Sequence, residues 1–138
     1  NKDATESYLR KVEKLEEDYK QYETQMVDKP KYENKLKQLE KLETKIEQNL
    51  DTHKKSLDFF EQNDSCPTCT QKIEEKFRDE KIAKERKKVI TLNDGMKDLV
   101  NEITNTENKI TEFNGISEKL YDTKIQMSKI LYIMKYYY

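Results

Sequence analysis

The chain has 138 residues, of which 33% are hydrophobic and 40% charged, too lean an apolar complement to fill a thick globular core. Its 27 basic and 28 acidic residues are interspersed and nearly cancel, so no net field draws in nucleic acid or an anionic membrane. Two Gly, two Pro and no Trp argue against a many-turned sheet and for long helices, with disorder as the alternative that composition leaves open.

From the N-terminus, Tyr8, Val12, Leu15, Tyr19, Tyr22 and Met26 recur at alternating steps of four and three, the seam of a coiled-coil helix. Pro30 interrupts this pattern, and a kink or short loop is expected there. Tyr32, Leu36 and Leu39 resume it, and Leu42, Ile46, Leu50, His53, Leu57 and Phe60 carry it on with a stutter, as where a supercoil locally unwinds. Residues 1–62 thus read as a first coiled-coil arm.

Residues 63–70 form the segment that reads as a turn. Asn63 and Asp64 can end a helix, and Pro67 cannot continue one. Thr68 followed by Gln71 has the spacing of a capping box, which would start the second helix there. Residues 71–138 read as the second arm, with a seam at Val89, Leu92, Met96, Leu99, Ile103, Thr106, Ile110 and Phe113. The run Lys84-Glu85-Arg86-Lys87-Lys88 reads as a solvated helix face, and Gly95 and Asn114-Gly115 as weak points where the helix bends. The apolar tail from Ile130 to Tyr138 is too short to cross a bilayer, and with no secretory or lipidation motif a soluble, cytoplasmic setting is expected. Asn1 is not an initiator Met, and Lys135-Tyr136-Tyr137-Tyr138 lies still near the seam, so both ends read as cuts through longer helices of a larger protein.

A short turn between two long amphipathic arms calls for an all-α, antiparallel coiled-coil hairpin with the Cys-x-x-Cys at its apex. Folded symmetrically about Cys66 and Cys69, the hairpin would set Tyr22 against Phe113, Tyr32 against Ile103, Leu36 against Leu99 and His53 against Ile82. Two apolar seams that mirror each other about a cysteine pair reinforce the hairpin reading.

The chemistry within the chain is confined to Cys66 and Cys69. A lone Cys-x-x-Cys has three readings: half of a zinc site, a redox dithiol, or incidental thiols. The redox reading expects a βαβ fold, which this pattern does not resemble. Zinc takes four thiolate or imidazole ligands in a tetrahedron, and a Cys-x-x-Cys turn supplies two. His53, the only imidazole, stands roughly 20 Å from the tip along a helix and is expected in or near the core. Asp64 or Glu61 could coordinate, but a second copy of the chain supplies the missing thiolates most simply, one zinc being shared by a homodimer. Pro67 stiffens the turn, and a Cys69 at a helix start is favoured as thiolate.

Cys66-Pro67-Thr68-Cys69 at the apex of an antiparallel coiled coil resembles the zinc hook of the SbcC-type DNA-repair ATPases, relatives of the structural-maintenance-of-chromosomes proteins. The Lys-, Asn- and Tyr-rich composition is further similar to the large subunits of T-even phage recombination endonucleases, which would place the protein in a bacterial host cytoplasm. Only four residues carry the specific part of the resemblance. It implies that Cys66 and Cys69 are metal ligands and that zinc joins two arms tip to tip. It also implies that ATPase heads, a nuclease subunit and DNA are engaged by other parts of a parent protein that tethers DNA ends for recombination and double-strand-break repair. No Gly-x-x-x-x-Gly-Lys-Ser/Thr loop can be drawn from Gly95 and Gly115, so no catalytic residues, ATPase or nuclease activity are expected of this segment. A redox-active hairpin and a metal-free coiled-coil scaffold are the alternatives.

Overall fold

A computed structural model describes residues 2–137. The protein is all-α: α1 spans Lys2–Gln25, α2 Lys29–Gln62 and α3 Glu75–Tyr137. Among the described residues the only extended pairing is an isolated antiparallel bridge between Ser65 and Lys72, and no helix is long and apolar enough to cross a membrane. Asn1 and Tyr138, which the reading of cut helix ends involves, lie outside the described residues.

The break expected at Pro30 falls just before it. Met26, Val27 and Asp28 form a turn closed by Lys29 N–H donating to Met26 O at 3.1 Å. Pro30 then occupies the first turn of α2, where a missing N–H costs no helical hydrogen bond. Gly95 and Gly115 do not interrupt α3, which runs through both.

The chain divides into two compact units. One comprises Leu36–Asn105, the other the chain up to Lys35 with the chain from Thr106 on. In the second of these, Val12 and Phe113 are buried, and the Tyr32 and Phe113 rings meet at 5.6 Å between centroids. The Lys109 ammonium lies over Tyr32 at 5.9 Å, and that of Lys119 over Tyr22 at 6.0 Å, attracted by the negative ring faces while its stem covers apolar surface.

In the unit Leu36–Asn105, the C-terminal half of α2 packs antiparallel on the N-terminal half of α3. Leu50, Leu99 and Ile103 are buried, and Phe60 meets Phe77 edge-on at 6.0 Å. Across the chain the seam residues named from periodicity are buried or half-buried, Leu42 excepted. An amphipathic stripe at steps of three and four leaves the solvent when two helices pair, and apolar burial drives that pairing.

The pairing register differs from the mirror about the two cysteines. Tyr32 meets Phe113 rather than Ile103, and His53 meets Glu85 rather than Ile82. The cause in the Leu36–Asn105 unit is local. Thr68 does not cap a helix at Gln71; α3 starts at Glu75, about one helical turn later. Within this unit that turn is carried into the pairing that follows it.

Candidate functional site

Residues 63–74 join α2 to α3, and backbone hydrogen bonds shape them. The Asn63 N–H still donates to Phe59 O at 3.1 Å, closing α2. Beyond it Ser65–Cys66 lies antiparallel to Gln71–Ile73: Cys66 N–H donates to Gln71 O at 2.8 Å, and Ile73 N–H donates to Asp64 O at 2.9 Å. Between these strands-in-miniature the chain reverses through Pro67, Thr68 and Cys69, closed by Thr70 N–H donating to Cys66 O at 2.9 Å. Thr70 takes φ 62°, the left-handed region that a β-branched residue enters only at a cost.

This knuckle puts both sulfurs on one turn, Cys66 half-buried and Cys69 exposed, and both are free thiols. The backbone N–H of Cys69, the Cys69 side chain and the backbone N–H of Thr68 all donate toward the Cys66 sulfur and hold its thiol below the ordinary value, outweighing slight desolvation. Donors aimed at a sulfur stabilise the anion, and the anion is the form that binds a metal or attacks an electrophile. The Cys69 thiol lies 3.9 Å from Gln71 Oε1.

The pair fits the requirements of zinc as far as one chain can take them: two soft donors on a stiff turn, one already biased toward thiolate. Two ligands remain to be found. Among the described residues no three or more His, Cys, Asp or Glu side chains gather where they could hold a metal ion. His53 is engaged elsewhere, its Nδ1 2.5 Å from Glu85 Oε2. Glu61 accepts from Arg86 Nη2 at 2.7 Å.

Two residues that hold this region escape a reading by composition. Arg78 on α3 reaches back to the end of α2, where its Nε donates to Phe60 O at 2.7 Å and Asn63 O at 3.1 Å, and its Nη2 to Glu61 O at 3.2 Å. Those are the carbonyls a helix C-terminus leaves without partners, and a cation there also meets the negative end of the dipole. Glu85, within the run read as a solvated face, is 3% exposed. Its other oxygen lies 3.5 Å from Lys81 Nζ. The signal was available: stepping back from Val89 by four, three and four lands on Glu85, Ile82 and Arg78, an extension of the same seam.

Comparison with known protein families, with curated proteins and with solved structures finds no match.

Proposed function

We propose that the chain is a zinc-mediated dimerisation hook: the knuckle forms the tip of an antiparallel coiled-coil hairpin, and Cys66 and Cys69 from each of two copies bind one shared zinc ion. The observation that carries this reading is the knuckle itself, two free thiols on one backbone-bonded turn with amide donors directed at the Cys66 sulfur. A zinc ion bound there would supply a closed, redox-inert tetrahedral crosslink. The residues of the chain do the rest. Pro67 limits the loop's freedom before binding, the Thr68 and Cys69 amides favour loss of the Cys66 proton, and the exposed position of Cys69 leaves it open to a second copy.

In this reading the segment is mechanical rather than catalytic. By its resemblance to the SbcC-type hook, the parent protein is an ATPase subunit of a nuclease complex that tethers DNA ends in the cytoplasm, and the heads, the nuclease partner and DNA are met by other parts of it.

The deciding experiment is the mass of the protein by light scattering, with zinc and after chelation, alongside a zinc-to-protein ratio. The hook requires a dimer with about one zinc per two chains that falls to monomer on chelation or in Cys66→Ser, with helix content kept. A metal-free monomer, or a dimer indifferent to chelator and to Cys66→Ser, would leave a plain coiled-coil scaffold. Dimers that respond to thiol oxidants and not to chelator would mark the dithiol as redox-active.

A further inference from the structure

Within the Leu36–Asn105 unit two polar contacts tie α2 to α3 near the connection, Arg78 on the carbonyls that end α2 and Arg86 on Glu61; farther along the seam His53 on α2 meets Glu85 on α3, Nδ1 to Oε2 at 2.5 Å. From this contact we infer that the His53–Glu85 pair selects the register in which the two helices associate. An apolar seam at steps of three and four is nearly self-similar, so sliding one helix by a seam step buries almost the same side chains. The polar pair breaks that degeneracy. In the observed register the Glu85 carboxylate, 3% exposed, accepts from His53, 23% exposed at its side chain. Sliding α3 by one seam step in either direction brings Ile82 or Val89 to His53 and carries Glu85 to Leu50 or Leu57. Both polar groups would then face hydrocarbon, and a buried carboxylate without its partner is disfavoured far more than a lost apolar contact.

Lys81 cannot make this choice. Its ion pair with Glu85 lies within α3 at 3.5 Å and travels with the helix in every register. Lys87 and Lys88 border the shallow cleft beside His53 together with Asn49, Thr91 and Leu92, and none of these closes a bond across the seam in place of the pair. The inference concerns the chain's own helices and stands whether or not the cysteines bind zinc.

The test measures register directly, by electron-spin distance between labels at exposed positions Thr52 and Lys97, each changed to cysteine in the full chain carrying Cys66→Ser and Cys69→Ser. With His53 and Glu85 intact a single narrow distance is expected. With His53→Leu and Glu85→Leu together this pair of seam positions becomes apolar while the Arg78 and Arg86 contacts are kept, so helix content by circular dichroism is retained. The distance distribution should then gain a second population displaced by about 5 Å, one seam step. Glu85→Gln, which keeps a hydrogen-bond acceptor for His53, should hold the single distance. An unchanged single distance in the double leucine variant would overturn the inference, as would a Glu85→Gln distribution that splits like it. Loss of helix in the double variant would also overturn it, because the pair would then be needed for folding and not for choosing between registers.

Discussion

The paired stretch of α2 and α3 and the connection between them lie next to one another and are built by opposite means. The helices are held by side chains: Leu50, Leu99 and Ile103 leave water, and the backbone bonds are satisfied within each helix whatever the partner. The connection is held by backbone: Cys66 with Gln71 and with Thr70, and Asp64 with Ile73, while Pro67, Thr68, Cys69 and Thr70 stay exposed. Apolar burial is non-directional and tolerates approximate fit, whereas a knuckle of directional bonds admits one geometry.

Breaking the helix side of this comparison should cost most. Leu50→Ala removes a buried seam residue and is expected to destabilise by about 3 kcal/mol in urea unfolding followed by circular dichroism, as for other core truncations. His53→Ala comes next, because it leaves the Glu85 carboxylate buried with only Lys81, an expected loss of about 2 kcal/mol. The same pair has a pH signature. Burial would raise the Glu85 carboxyl, but the hydrogen bond and charge of His53, with Lys81, outweigh it and the net displacement is downward from 4.5. With the folded value below the unfolded one, the unfolded state binds the proton first. The contribution is therefore whole above about pH 4.5 and fades as pH falls further toward the folded value. The acid limb of a stability–pH curve should flatten in His53→Ala; an unaltered limb would show that the pair adds nothing to acid stability.

The junction of the two regions is Arg78. Arg78→Met keeps the stem but strips three carbonyls of their donor, and an expected loss of about 1–2 kcal/mol should be accompanied by fraying of the α2 end in amide exchange. If the connection were self-sufficient, exchange at Asn63 would not change.

The smallest effects are gains, and they sharpen the contrast. Thr70 holds φ 62° without being Gly, so Thr70→Gly is expected to stabilise by about 0.5–1 kcal/mol in thermal unfolding. Gly95 sits in α3 with nothing within 4 Å of where a Cβ would stand, so Gly95→Ala should also stabilise, by about 0.5–1 kcal/mol. The loop thus lacks a glycine where its backbone calls for one, and the helix carries one where it does not. A Thr70→Gly that destabilises would show that the threonine side chain itself holds the knuckle.

Much of the fold was legible in the residues. The step-of-three-and-four pattern marks which side chains leave water, because one face of an amphipathic helix must be covered by something, and that requirement is local to each helix. Tyr8 through Met26 and Val89 through Phe113 answer to it residue by residue. The candidate site was legible as a spacing: Cys66 and Cys69 with Pro67 between them read as a turn carrying two thiols. Hidden from that reading were Arg78 and Glu85, whose charges look solvated until the seam is extended back through them. The bonds that make the loop a knuckle were hidden as well, since hydrogen bonds between Cys66 and Gln71 or between Asp64 and Ile73 leave no mark on residue type.

Register is where tertiary structure decided. A seam that repeats every three or four residues fits its partner at several offsets with nearly equal burial, so periodicity determines the face of each helix and leaves their offset free. The start of α3 at Glu75, the Arg78 clasp on the end of α2 and the His53–Glu85 contact are long-range and directional. They exist only once both helices and the connection are in place together, and each is satisfied at a single offset.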